Sequence, residues 1–127
     1  MKIIIDPQNV LNFLEGKEKI IGTVLNANER FITIFDYSLL ISGIFNTENQ
    51  NHNLYIIKKF IKENFEILEF SRKEAEIFAK LKNRYNHVGE LILLNSSIII
   101  NNKIKYFTTN LEKYNEIKEL KKLILTV

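Results

Sequence analysis

The chain of 127 residues has no cysteine, a single proline and only four glycines. Without thiols it forms neither a disulfide scaffold nor a thiolate zinc site, and it has no cysteine nucleophile. Such a composition suits the cytoplasm, where the chain is expected to reside. No apolar run reaches the roughly 18 residues that a membrane-spanning helix needs, and no charged start leads into a long apolar stretch as in an export signal. Neither membrane nor export segment is therefore expected. Sparse glycine and proline beside abundant isoleucine, asparagine and lysine is the usage of an AT-rich genome and carries no chemistry. Charge of either sign is also modest. The net charge of +3 is weak support for a nucleic-acid partner, because most lysines are expected on solvated helix faces.

What is present suffices for a fold. Hydrophobic residues make up 46% of the chain and charged ones 26%, the balance of an ordinary globular protein. At this length one domain, residues 1–127, buries roughly two thirds of its unfolded surface without staples. Strand and helix patterns alternate with no repeat or linker. Strands are expected at Lys2 to Ile5, Arg30 to Phe35, Glu66 to Phe70, Lys105 to Thr108 and Leu123 to Val127. Helices are expected over Asn9 to Glu15, Lys17 to Leu25, Asp36 or Ser38 to Phe45, and Leu54 to Phe65. Another starts after Ser71, whose Ser71-Arg72-Lys73-Glu74 reads as a capping box, then Val88 to Ile100 and Leu111 to Leu120 follow. Asn46 to Asn53 reads as a polar loop. The alternation predicts an α/β fold: a central, mostly parallel sheet of four to five strands between helical layers.

The first strand carries the main functional signal. Ile3-Ile4-Ile5 reads as buried strand and ends in Asp6, followed by turn-prone Pro7-Gln8-Asn9. A carboxylate at the carboxyl end of a buried strand lies where open α/β sheets place their ligands. Aspartate is depleted inside strands, so Asp6 marks a strand end or a functional site.

Further segments fall in order behind it: Asn12-Phe13-Leu14-Glu15-Gly16; Phe31-Ile32-Thr33-Ile34 leading into Asp36-Tyr37-Ser38-Leu39-Leu40-Ile41-Ser42-Gly43; Ile67-Leu68-Glu69-Phe70 with Ala75-Glu76-Ile77-Phe78-Ala79; and Tyr106-Phe107-Thr108-Thr109-Asn110-Leu111-Glu112-Lys113-Tyr114. As an ordered set over nearly the whole chain these resemble the PIN-domain family, in particular the small VapC-like toxin ribonucleases. That resemblance implies a three-layer α/β/α fold and a Mg- or Mn-dependent endoribonuclease site. It also implies RNA as ligand, an antitoxin-like protein partner and homodimerisation, with no membrane.

On this resemblance Asp6 matches the first catalytic acid and metal ligand. Gln8 stands where a shorter Asn or Ser is usual. The glutamate expected in the helix after the second strand falls at Leu39, which cannot ligate a metal. Asp36, one turn earlier, is either its substitute or, as the commoner use of aspartate there, an N-cap. Glu90 is the match for the third acid and a second metal ligand; its alternative is a first-turn glutamate complementing the helix dipole. Thr108 and Asn110 fit the family's Thr-x-Asn segment as substrate-binding residues, while the accessory acid meets Lys113. His87 is a weaker substrate-binding candidate, more often a plain surface histidine, and His52 is weaker still. Ser96 and Ser97 read as small packing residues, since no histidine base is suitably spaced. Lys58, Lys59, Lys62, Lys80, Lys82 and Arg84 form basic helix faces, solvated by default and phosphate-tracking in the sharper reading. Two functions stand: a metal-dependent ribonuclease with an incomplete carboxylate cluster, its activity impaired or lost, or a non-catalytic RNA-binding or protein-interaction module on the same fold.

Overall fold

The computed structural model describes residues 1–126. Thirteen elements follow in order. They are β1 Lys2–Ile5, α1 Pro7–Leu14, α2 Glu18–Leu25, β2 Glu29–Thr33, α3 Ile34–Ile44, α4 Gln50–Asn64 and β3 Glu66–Leu68, then α5 Arg72–Arg84, α6 Glu90–Asn102, β4 Lys105–Phe107, α7 Leu111–Tyr114, a 3-10 turn at Lys118–Leu120 and β5 Ile124–Leu125. The strands form one sheet in the order β3-β2-β1-β4-β5, and every pairing is parallel. In β1, Ile3 and Ile5 point to one face and Ile4 to the other, as strand periodicity demands. Ile3, Ile5, Ile32 and Phe107 meet α1 to α4 through Val10, Val24, Leu40 and Ile57. Ile4, Phe31 and Tyr106 meet α5 to α7 through Leu81, Leu93, Ile99 and Tyr114. The expected three-layer α/β/α architecture is therefore present, and the triple isoleucine serves both cores. Each of its side chains is fully buried, contributing on the order of 1.5–3 kcal/mol.

Several boundaries differ from the sequence reading. The second strand ends at Thr33 rather than Phe35, because the Thr33 hydroxyl accepts the Asp36 N–H at 3.0 Å and caps α3 itself. Asp36 and Ser38 are thus inside the helix, and the N-cap reading of Asp36 is overturned. Asp6 is instead the cap of α1, accepting the Asn9 N–H, with Pro7 filling the first helical position where its missing N–H is harmless. The loop expected through Asn53 is shorter, since α4 begins at Gln50. Polar side chains serve that entry: Gln50 donates to the Phe45 carbonyl at 2.9 Å and Asn53 to Thr47 Oγ1 at 3.0 Å.

At α5 the capping glutamate is as expected, Glu74 Oε1 accepting both the Ser71 N–H and its hydroxyl at 2.9 Å. Buried Glu74 also accepts from the Asn101 amide, tying α5 to α6. The apolar helix α6 lies two residues later than expected. It ends at Lys103, whose φ of +55° is a left-handed conformation that glycine usually supplies. The single helix expected over Leu111 to Leu120 is split into α7 and the 3-10 turn, and the last strand is the short β5. Val127, the end of the expected strand, lies outside the described residues.

Chain direction across the sheet reverses at β1: β2 and β3 lie on one side of it, β4 and β5 on the other. The carboxyl ends of β1, β2 and β4 deliver Asp6, Thr33 and Thr108 to this switch point, where open parallel sheets form their crevice.

Candidate functional site

Asp6 is fully buried at that crevice. Its Oδ1 accepts the Asn9 N–H at 2.7 Å. Its Oδ2 accepts the Thr108 hydroxyl at 2.9 Å, the Thr109 N–H at 2.8 Å and the Thr109 hydroxyl at 3.1 Å. The chain itself thus makes four hydrogen bonds to this carboxylate, three of them on Oδ2 and one on Oδ1. Thr108, expected to bind substrate, faces inward onto Asp6 and accepts the Asn110 N–H on the same hydroxyl. Gln8 donates to Asn12, which donates to Asn9, whose amide reaches the Phe107 carbonyl at 3.4 Å. This relay braces the β1–β4 junction behind Asp6.

Asp36 lies across from it in the first turn of α3, only 2% exposed. Its Oδ2 accepts the Tyr106 hydroxyl at 2.8 Å and the Asn95 amide at 3.2 Å. Asn95 is the hub. Its Nδ2 also reaches the Tyr114 hydroxyl at 3.0 Å and the Tyr106 hydroxyl at 3.4 Å, and its Oδ1 accepts from Thr33. The two tyrosine rings stack edge to face with centroids 5.1 Å apart. Burial pushes the Asp36 carboxyl up to about 7; the Tyr106 and Asn95 hydrogen bonds pull it down and the Asp6 charge raises it again. The Tyr106 and Tyr114 hydroxyls are both raised, first by burial and then by the Asp36 charge.

Above this network opens a cleft of about 270 Å³, with Asp36, Asn95, Tyr106 and Tyr114 lining it beneath Leu39, Leu91 and Ile92. Gln8, Asn110 and Lys113 also line it. Leu39 and Lys113, the positions at which acids were expected, therefore do face the cleft, as an apolar wall and a cation. A larger depression, about 580 Å³ along Tyr55, Lys58, Lys59 and Lys62 on α4, is open and has no buried polar group in it.

Other expected residues are elsewhere. Glu90 is exposed and pairs with Lys82 of α5; its neighbours Leu91 and Ile92 face the cleft in its place. It is the first residue of α6, and it is not among the residues that line the cleft. His87 is exposed and sits 3.1 Å from Glu116, and Arg84 pairs with Glu119. Ser96 and Ser97 are buried and donate to carbonyls of their own helix at 2.6 Å, as packing residues. Asn95 was not singled out from the sequence. The signal was there: one amide in a run of apolar residues, on a helix too apolar to leave any face in water.

Magnesium or manganese is what the fold's nucleases would hold here, and the residues present do not fit it. These hard cations take carboxylate oxygen and water. Among the described residues no group of three or more acidic, histidine or cysteine side chains converges. Of the two acids that do approach, Asp6 is engaged by four donors of the chain and Asp36 by two, with burial raising the Asp36 carboxyl. An amide and two tyrosine hydroxyls are packed against them. The buried side-chain oxygens and nitrogens among the described residues all have partners without an ion.

No protein-family model matches the sequence, and no curated protein matches it. Solved structures do match. The chain is similar to one in VapBC2 from Rickettsia felis bound to a DNA fragment from its promoter, with a TM-score of 0.85, 16% identity, and coverage of 100% of this chain and 99% of that one. It is equally similar, at a TM-score of 0.85 and 19% identity, to a chain of DNA-bound VapBC from Salmonella typhimurium, covering 99% and 98%. VapBC-1 from nontypeable Haemophilus influenzae gives 0.80 at 16% identity, covering 100% and 97%. At these identities the likeness is one of fold.

Proposed function

We propose that this chain, whose fold is that of the PIN/VapC-like proteins, is a PIN domain that has lost metal-dependent ribonuclease chemistry and works by binding. The observation that carries the proposal is the Asn95 hub. Where acids would have to converge on a cation, an amide and two tyrosine hydroxyls close the space on Asp36. A two-metal or one-metal hydrolysis needs several carboxylates to hold the ion and a water; here only Asp6 and Asp36 approach, engaged by four and two donors of the chain itself. Loss of the acidic cluster is also self-consistent as physics. Neutral residues beside Asp6 and Asp36 relieve the like-charge repulsion that a bound cation would otherwise balance.

Analogy of fold adds the partner. The similar structures are VapBC assemblies, two of them on DNA, and on that analogy this chain pairs with an antitoxin-like protein. The test is direct. RNA incubated with the purified protein in Mg²⁺ or Mn²⁺ is expected to remain uncut, as it does in EDTA and with Asp6→Asn. Cleavage that requires the metal and disappears in Asp6→Asn would overturn the proposal.

A further inference from the structure

The end of the sheet opposite the cleft is graded in charge. In spatial order β3, β2, β1 and β4 begin with Glu66, Glu29, Lys2 and Lys105. Lys2 pairs with Glu29, so the acidic half ends at β1. On the other half, parallel pairing sets Tyr106 of β4 beside Ile124 of β5, and the Tyr106 N–H donates to the Leu123 carbonyl at 2.6 Å. Residues 103–105 and 121–122 therefore enter the sheet side by side, with backbones about 5 Å apart as in neighbouring strands. Lysine is the only charged residue type in these two segments. Lys103, Lys105, Lys121 and Lys122, all exposed, share one corner of the molecule.

Two observations set this corner apart from an ordinary solvated face. Among the described residues none of the four lysines has a carboxylate partner, although ion pairs form elsewhere on the surface. The acids nearest to them along the chain and in the packing are engaged: Glu119 by Arg84 and Tyr85, Glu116 by His87, and buried Glu74 by Asn101 and Ser71. The second observation is backbone strain. Lys103 closes α6 at a φ of +55°, a left-handed conformation that glycine or asparagine adopts with less strain. Asn101 and Asn102 stand directly before it. A lysine in the strained position puts its ammonium on this corner, and strain of that kind points to a function for the side chain.

We infer that this corner binds the phosphodiester backbone of a nucleic acid, at a site separate from the cleft. Four ammonium groups on two neighbouring segments repel one another, and a polyanion laid across them relieves that repulsion and releases its own counterions. Lysine acts on phosphate as a point charge, with no demand on orientation. A protein partner would call for an apolar centre, and a membrane surface for an apolar face to insert. No exposed large apolar side chain belongs to residues 103–105 or 118–122. Contacts to phosphate alone carry no base sequence, so binding is indifferent to it. Because the strands are parallel, this corner and the cleft lie at opposite ends of the sheet, and the fate of catalysis in the cleft has no bearing on it. RNA and DNA offer the same backbone chemistry.

Fluorescence anisotropy tests it, with a short labelled single-stranded RNA and a short DNA duplex of mixed sequence, in EDTA and over a series of salt concentrations. Four lysines on phosphates give log K against log salt a slope of about −3.6 for the duplex and about −2.8 for the single strand. Lys103→Gly should make the slope shallower by about one and weaken binding several-fold, while the melting temperature does not fall. That combination separates a lost contact from a lost fold. The double variant Lys121→Ala, Lys122→Ala should make it shallower by about two. Lys58→Ala with Lys62→Ala, at exposed positions on α4, changes the net charge equally and should leave the slope as it was. The tighter binder of the two identifies RNA or DNA as the source, and equal affinity means that the corner takes either. The proposal is overturned if neither nucleic acid binds, if the variants at Lys103 and at Lys121 with Lys122 keep the full slope, or if the α4 variant lowers it as much. Binding of a polyglutamate peptide as tightly as the nucleic acids would overturn it too, and point to an acidic protein.

Discussion

Replacing Asp36 by asparagine should stabilise the protein, and increasingly so as pH rises. The unfolded carboxyl ionises at 3.8 and the folded one at about 7. Between those values the native state holds a proton that the unfolded state has released, so raising the pH disfavours the fold. The associated stability is whole below pH 3.8, falls as pH rises, and is fully lost above about pH 7. At 1.36 kcal/mol per pKa unit the full span is about 4 kcal/mol, of which about 2.5 kcal/mol falls between pH 5 and pH 8. Asparagine keeps the shape and accepts from Tyr106 and Asn95 through its own oxygen, but has no proton to lose. Urea unfolding of both proteins at pH 5, 6, 7 and 8 reads the difference, in which contributions common to the two proteins cancel. The gap in favour of the variant should widen by about 2.5 kcal/mol from pH 5 to pH 8, about 10 °C in melting temperature for a domain of this size. A gap that stays constant with pH would refute the argument that burial outweighs the hydrogen bonds at Asp36.

Four other outcomes follow from the same geometry. Adding millimolar Mg²⁺ or Mn²⁺, or removing it with EDTA, should leave the melting temperature unchanged, whereas a bound ion would raise it in proportion to its occupancy. Asn95→Ala should destabilise by about 3 kcal/mol or more in urea unfolding, because Thr33, Asp36 and Tyr114 all lose a buried partner. Glu74→Ala should lower stability by about 1–3 kcal/mol, removing both the acceptor for Ser71 and the tie to Asn101. Lys103→Gly should raise it by about 1 kcal/mol, since only the native lysine pays for a φ of +55°.

The fold was legible because its signals are local. The unbroken run Ile3-Ile4-Ile5 and the apolar spacing of α4 and α5 need no knowledge of the other elements. The site was half legible. Asp6 could be placed from its strand alone, but Asp36 could not, since its role turns on where β2 stops. Thr33 is a good strand residue and a good N-cap, and only the folded chain, where it also bonds Asn95, decides between them. Three residues of displacement made Asp36 look like a cap. For Glu90, spacing gives the first turn of α6, but its partner, Lys82 of α5, depends on how the two helices pack. Asn95, Tyr106 and Tyr114 come from three separate elements, and nothing in the order of residues says that an amide and one phenol will share a carboxylate while the second phenol meets the amide.

The parallel order of the sheet bears on how this chain is made as well as on where its cleft lies. β1 pairs with β2 across a separation of 27 residues, but its other neighbour, β4, is more than a hundred residues away, Ile3 standing beside Lys105. A chain emerging from the ribosome can assemble β1, β2 and the helices between them long before β4 exists. Until then the central strand of the finished sheet is an edge, with three isoleucines and an open row of peptide groups. Late closure of non-local parallel pairs slows folding and exposes such edges to other chains. The hydroxyls and N–H of Thr108 and Thr109 that engage Asp6 arrive in the same last step, so the cleft forms only when the sheet is sealed.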